Sequence, residues 1–276
     1  MRKGKTGEES ERKDGVNRID KKFKELKKAG RKAFIVFITA GYPDLKTTGK
    51  LIQEFSRIGV DIIELGVPFS DPLADGPVIQ EASLKALEKN TRLKDIIDLV
   101  RRVRKSVQTP LCLMTYYNPV FSLGEKNFID RASKSGVDGV IIPDLTPEEG
   151  RSLAGYAHKK GVDVIYFLSP TSTAKRIRYI SRVSRGFIYY VSLTGVTGVR
   201  AALPVDLVQK VREIKKITRK PVCVGFGVST SRQVLQIRKF ADGVIVGSAI
   251  VKKIKENAGK PGLLEKVGRF VSQLKA

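Results

Sequence analysis

One acidic residue stands where chemistry would want it and packing would not. Glu64 interrupts the apolar run Ile62-Ile-Glu-Leu-Gly66, and an unpaired ionised carboxylate in an apolar site costs several kcal/mol. Such a group is either paired or has a raised pKa, which suits it to passing a proton near neutrality. Between Val60 and Leu84 there is no Lys or Arg to pair it, only Asp61, Asp71, Asp75 and Glu81. The run leads into Val67-Pro-Phe-Ser-Asp-Pro-Leu-Ala-Asp-Gly-Pro77, a loop stiffened by three prolines. Asp71 reads there as a turn or cap residue, while Asp75 is open between a turn former and a second functional carboxylate.

Three other segments have the composition of an anion cradle: Thr194-Gly-Val-Thr-Gly198, Gly225-Phe-Gly227 and Gly247-Ser-Ala249. Glycine lets backbone amides approach a ligand, and a helix amino terminus offers unpaired N–H groups with a favourable dipole. Because these motifs lack Lys and Arg, amides would hold a phosphate there. Tyr189 or Tyr190 could assist proton handling, and Phe37, Tyr189 and Phe226 could wall a planar apolar group, although core packing accounts for such aromatics equally well. The only histidine, His158, lies in the helical stretch Gly150 to Lys160 beside lysines and reads as a surface residue. Cys112 and Cys223 sit in apolar runs as reduced thiols, so neither a zinc site nor any other metal centre is expected. No lysine ends a strand as a Schiff-base former would.

The elements that must position these residues follow from periodicity. Gly59-Val-Asp-Ile-Ile-Glu-Leu-Gly66, Gly136-Val-Asp-Gly-Val-Ile-Ile-Pro143, Gly161-Val-Asp-Val-Ile-Tyr-Phe-Leu168 and Phe240-Ala-Asp-Gly-Val-Ile-Val-Gly247 repeat one pattern of turn and apolar run. Ala33 to Thr39, Pro110 to Thr115, Gly186 to Val191 and Pro221 to Gly225 add four more, making eight. Runs without alternation indicate strands buried on both faces, as in a parallel sheet covered by helices. Thr146-Pro-Glu-Glu149 and Thr230-Ser-Arg-Gln233 read as capping boxes, and Asp44 and Pro204 as starts for helices over Leu45 to Ile58 and Val205 to Ile217. Strand and helix thus alternate in units of roughly 34 residues. The expected fold is an α/β (β/α)8 TIM barrel, 16–276 as one catalytic domain, with an extra N-terminal helix from Val16 to Ala29 closing its floor. A doubly wound open sheet is the alternative, weakened by the missing Gly-x-Gly-x-x-Gly after the first run. Residues 1–15 read as a basic, disordered tail. In such barrels the loops at the strands' carboxyl ends build the active site, which is where Glu64, Asp75 and the three glycine motifs fall.

Composition excludes other classes. Among 276 residues 41% are hydrophobic, enough for a large core, and no apolar stretch approaches the ~20 residues of a membrane span. The amino terminus lacks a signal peptide's apolar region, so a cytoplasmic protein is expected. Fifty-two Lys and Arg against 28 Asp and Glu give a net charge of +24, with 13 against 6 in residues 1–32. The remainder reads as solvated helix faces, since no zinc, helix-turn-helix or aromatic-basic motif accompanies it.

The stretch Glu64 to Pro77 with Ile79 and Gln80 resembles the signature of the tryptophan synthase alpha subunit family. Phe34 to Pro43, Pro143-Asp-Leu145, Ser192 to Gly198, Gly225 to Gly227 and Gly247 to Val251 match as well, so the resemblance runs over about 16–276. It implies a lyase of tryptophan biosynthesis that cleaves indole-3-glycerol phosphate by a retro-aldol reaction to indole and glyceraldehyde 3-phosphate, without a cofactor. It also implies roles: Glu64 as proton shuttle, Asp75 as counter-charge at the indole nitrogen, Thr197 as the lid residue ordering Asp75, and Tyr189 beside the catalytic Glu. Gly198, Gly227, Gly247 and Ser248 correspond to the phosphate cradle, and Phe37, Ile79, Phe226 and Ile245 to the indole pocket. Family members work in an alpha2-beta2 complex whose beta subunit carries pyridoxal phosphate; the Pro68 to Pro77 and Tyr116 to Pro119 loops resemble the contact surfaces. The lysine-rich tail and the high charge depart from the family pattern. A nucleic-acid or anion-binding module on an inactive barrel, and another phosphosugar isomerase or aldolase, are the competing readings.

Overall fold

Every apolar run becomes a strand, and the strands close into a ring. The computed structural model describes residues 17–191, 205–225 and 227–276. The strands are β1 (Ala33–Thr39), β2 (Ile62–Gly66), β3 (Leu111–Met114), β4 (Gly139–Ile141), β5 (Asp163–Ile165), β6 (Phe167–Leu168), β7 (Ile188–Val191), β8 (Val222–Gly225) and β9 (Gly243–Val246). All pairings are parallel, in the order β5-β4-β3-β2-β1-β9-β8-β7-β6. β5 and β6 are one run interrupted at Tyr166: the first half pairs with β4 and the second with β7. The nine strands are therefore eight staves, and the (β/α)8 barrel expected from the eight runs is the observed fold. An open doubly wound sheet is excluded by the β1·β9 pairing, Ala33 opposite Gly243.

Two apolar layers hold it. Outward-facing strand residues such as Phe34, Val36, Ile63, Leu113 and Tyr190 pack under the helices, and Ile35, Ile62, Cys112, Ile141, Ile165, Phe187, Tyr189, Cys223 and Ile245 fill the interior. Of the two tyrosines considered for proton handling, Tyr190 is thereby excluded from the mouth, because a one-residue step along a strand reverses the side chain. The interior is plugged from below by Ile19 of the N-terminal helix, Arg18–Lys28. Asn17 caps that helix, accepting from Ile19 N at 2.8 Å and donating to the carbonyls of Asp138 at 2.7 Å and Gly161 at 3.0 Å.

The repeated Gly-Val-Asp turns lie at this floor. Gly136 adopts φ 86° at the end of helix Glu125–Ser135, a conformation that leaves glycine free of Cβ strain. The aspartates stitch neighbouring staves by accepting from backbone amides: Asp61 from Phe34 N at 2.9 Å, Asp138 from Leu111 N at 2.9 Å, and Asp242 from Val222 N at 3.1 Å. Asp138, fully buried, also holds Arg18 at 3.0 Å and Arg104 at 2.9 Å.

Helix starts follow local chemistry with one exception. Asp44 caps Leu45–Arg57 and the Thr230 box caps Ser231–Arg238. At Thr146 the hydroxyl accepts from Glu149 N at 3.3 Å and donates to Glu149 Oε2 at 2.8 Å, but this closes a turn rather than capping a helix, and the helix proper is Arg151–Lys159 behind Gly150. The remaining helices include Pro77–Glu88, Tyr117–Leu123, Ala174–Val183, Val205–Ile217 and Ser248–Asn257. No helix among the described residues is long and apolar enough to cross a membrane.

Removing one partner of a buried ion pair strands the other charge, at roughly 3–5 kcal/mol. Asp138→Ala, which removes the carboxylate shared by Arg18, Arg104 and Leu111 N and leaves Arg104 only its bonds to the carbonyls of Val107, Thr109 and Gly136, should lower unfolding free energy by that much in urea titration. A loss below about 1 kcal/mol would mean the floor is held by packing alone.

Candidate active site

The carboxyl ends of the strands surround a cavity of about 640 Å³. Phe37, Asp75, Ile79, Tyr189, Gly227, Ile245, Gly247 and Ser248, all singled out in the sequence, line it together. Thr197, Gly198 and Phe226 lie outside the described residues, as does the 1–15 tail. Asp71 is an exposed turn residue accepting from Ser70 Oγ at 2.5 Å and does not line the cavity.

Glu64 sits beneath the cavity floor. It lies in register between Phe37 of β1 and Cys112 of β3, is 0% exposed, and among the described residues neither carboxyl oxygen has a hydrogen-bond partner. Burial pushes its pKa up to about 8, so the group is a neutral acid at pH 7. Its charge in turn raises the pKa of Cys112, Cys223 and Tyr189, after their own burial, which puts all four groups in one electrostatic neighbourhood at the barrel axis. Two glycines make room for the rings above: a Cβ on Gly225 would meet Tyr189 Cε1 at 2.5 Å, and a Cβ on Gly66 would collide with the Phe37 ring.

Asp75 is half-buried at the cavity wall. Tyr116 Oη donates to its Oδ2 at 3.1 Å while accepting from Ala74 N at 2.9 Å. Burial raises the Asp75 pKa to about 6, and the tyrosine bond pulls it partly back. Tyr116 is itself braced by stacking on Phe69, centroids 5.1 Å apart, and by Asp144, which accepts from Tyr117 N at 2.9 Å. Tyr116 thus belongs to the site as well as to the expected contact surface, and the signal for it in the chain is its place just beyond the end of β3.

Opposite, Gly247 and Ser248 line the cavity at the start of helix Ser248–Asn257, whose first amides have no side-chain cap. Arg176, from the first turn of Ala174–Val183, also reaches the mouth, where it pairs with Glu148 and lies over Tyr179 at 5.7 Å. Nothing in its local sequence distinguished it from a helix-face cation. Among the described residues no cluster of three or more His, Cys, Asp or Glu forms a metal site.

A closed parallel barrel with a cavity at the carboxyl ends of its strands, lined by Asp75 and by glycines at a helix start, defines a TIM-barrel enzyme. The tryptophan synthase alpha chain family matches residues 23–276. The tryptophan synthase alpha chain of Citrifermentans bemidjiense is 48% identical over 260 residues, covering 94% of this chain and 97% of its own. That of Geobacter sulfurreducens is 49% identical with 94% and 98% coverage. The crystal structure of the alpha subunit from Legionella pneumophila superposes with a TM-score of 0.88 at 38% identity, covering 94% and 97%. The chain belongs to the tryptophan synthase alpha chain family. It is a carbon–carbon lyase of tryptophan biosynthesis, cleaving indole-3-glycerol phosphate to indole and glyceraldehyde 3-phosphate.

The buried Glu64 has a thermodynamic consequence. Its folded pKa of about 8 exceeds that of an unfolded glutamate, so between roughly pH 4.5 and 8 the unfolded chain binds fewer protons and stability falls as pH rises. Glu64→Gln should match the parent near pH 4.5 and exceed it by a few kcal/mol at pH 8.5 in urea unfolding. A pH-independent difference would mean that Glu64 is ionised at neutral pH.

Proposed function

We propose that Glu64 and Asp75 divide the proton and charge work of this cleavage. One observation carries the proposal: two carboxyl groups at one cavity have pKa values of about 8 and about 6, so that at pH 7 one is an acid and the other an anion. Glu64, turning upward about its side-chain bonds, donates its proton to the indole ring carbon that bears the glycerol phosphate. Positive charge then spreads to the ring nitrogen, whose N–H faces the Asp75 carboxylate; such preorganised stabilisation is worth roughly 3 kcal/mol. The Glu64 carboxylate next takes the proton of the side-chain hydroxyl as the carbon–carbon bond breaks. Bond electrons return to the ring, the hydroxyl carbon becomes the aldehyde, and Glu64 ends as it began. Nothing is consumed, so no cofactor is required, and pyridoxal phosphate belongs to the beta subunit. Phe37, Ile79, Tyr189 and Ile245 would hold the indole, and Gly227, Gly247 and Ser248 the phosphate.

Leu73, 93% exposed, projects from the Pro68 to Pro77 loop, and Phe121, 67% exposed, from helix Tyr117–Leu123 after β3. Exposed large apolar side chains at a rim suit a partner interface, and we assign them to beta-subunit docking in an alpha2-beta2 complex. The two buried free cysteines suit a cytoplasmic setting.

Glu64→Gln should release no indole, and Asp75→Asn should lower kcat at least 100-fold; activity of either within tenfold of the parent removes it from the mechanism. The parent's kcat/KM should be bell-shaped with limbs near pH 6 and 8. Because Tyr116 lowers the Asp75 pKa, Tyr116→Phe should move the acid limb upward; a fixed limb would assign it to another group. Leu73→Asp with Phe121→Asp should weaken beta-subunit binding at least tenfold by calorimetry while basal indole release persists, and unchanged affinity would place the interface elsewhere.

A further inference from the structure

The surplus positive charge is not evenly matched across the surface. On most helices a cation has a carboxylate three or four residues away, as in Lys22–Glu25, Lys85–Glu88, Arg101–Asp98, Lys210–Glu213, Lys253–Glu256 and Arg269–Glu265. Helix Ala174–Val183, Ala-Lys-Arg-Ile-Arg-Tyr-Ile-Ser-Arg-Val, has no acidic residue at all. Its Lys175, Arg178 and Arg182 face Arg219 and Lys220 across a groove of about 610 Å³. No carboxylate lines the groove, and none of the five is ion-paired among the described residues. Burial, and after it the charge of Arg185, lowers the pKa of Lys220, and the more distant carboxylates of Asp20 and Asp163 offset this only in part. Like charges gathered in a groove with no carboxylate in its lining oppose folding, and an external anion relieves that cost.

We propose that this groove binds a chain of phosphates, reading its backbone without regard to sequence. Lys175, Arg178 and Arg182 stand three and four residues apart, so at the helical rise they offer a row of cations about 4.5 and 6 Å apart along one face. Arg178, Arg182 and Arg219 carry planar guanidinium forks, which match phosphate oxygens two at a time. A folded acidic protein is disfavoured because an interface of that kind needs an apolar anchor, and the exposed large hydrophobics, Leu73, Leu84, Phe121 and Leu235, are all elsewhere. The groove shares no lining residue with the catalytic cavity. Arg182 and Arg185 precede β7, and Arg219 and Lys220 precede β8, so it opens toward the barrel floor. Tertiary packing here brings two separate basic segments together.

The test is fluorescence anisotropy of a labelled 20-nucleotide mixed-sequence single strand titrated with the full-length protein over a series of salt concentrations. A groove variant, Arg178→Gln with Arg182→Gln and Arg219→Gln, is set against a control, Arg102→Gln with Lys126→Gln and Lys134→Gln, which loses the same charge elsewhere. The groove variant should bind at least tenfold more weakly at low salt, with the slope of log K against log salt reduced by about 2, and the control should stay within twofold. Inorganic polyphosphate should compete and poly-glutamate should not; whichever of oligonucleotide and polyphosphate binds more tightly identifies the source of the phosphates. Indole release by the groove variant should stay within twofold of the parent. No binding by the parent at low salt, equal weakening of both variants, or equal competition by poly-glutamate overturns the proposal. A parallel fall in indole release overturns the separateness of the groove from the active site.

Discussion

The site rests on the cost of burying a carboxyl group with nothing to pair it. At the axis of the barrel Glu64 has apolar neighbours, two thiols and a tyrosine, and among the described residues no cation or amide within hydrogen-bonding reach. Charge is therefore unfavourable there, and the proton is retained to about pH 8. A lysine in β3 or β8 at the same level would supply a counter-charge, hold the group ionised and remove the acid. The glycines at 66 and 225 serve the same end, letting the Phe37 and Tyr189 rings close over the axis.

Charge is handled in opposite ways at the two ends of the barrel. At the floor Asp61, Asp138 and Asp242 are tied to strand amides, and Asp138 to two arginines, which fixes the stagger of neighbouring staves. Toward the mouth, among the described residues, the Asp75 carboxyl accepts from one tyrosine hydroxyl, and Glu64 beneath it has no hydrogen-bond partner. Satisfied carboxylates give stability; incompletely satisfied ones retain free energy for a ligand to use. The same contrast separates the paired helix faces from the unpaired groove between Ala174–Val183 and the segment before β8.

The basic character of the chain thus has two origins. Most cations lie on helix exteriors beside carboxylates, where exposed pairs contribute little to stability. The groove cations are close only because the helix after β6 and the turn before β8 are adjacent in the ring, a neighbourhood set by strand order.

Much of this was legible in the chain. A doubly buried strand needs a continuous apolar run, so eight runs and their helical spacers specify eight staves, and a polar residue inside such a run, as Glu64 is, marks itself. Helix starts at Asp44 and Thr230 were legible because a cap bond spans three residues. What required the fold is nonlocal. Tyr116 meets Asp75 across 41 positions and Arg18 meets Asp138 across 120. The break at Tyr166 arises from closing the ring, Arg176 reaches the mouth by the direction of its helix, and the Thr146 box ends as a turn. Periodicity records which face of an element is buried, so sequence alone determined the barrel and its odd buried acid. Which side chains meet depends on the stagger between staves, which only packing of the whole ring decides.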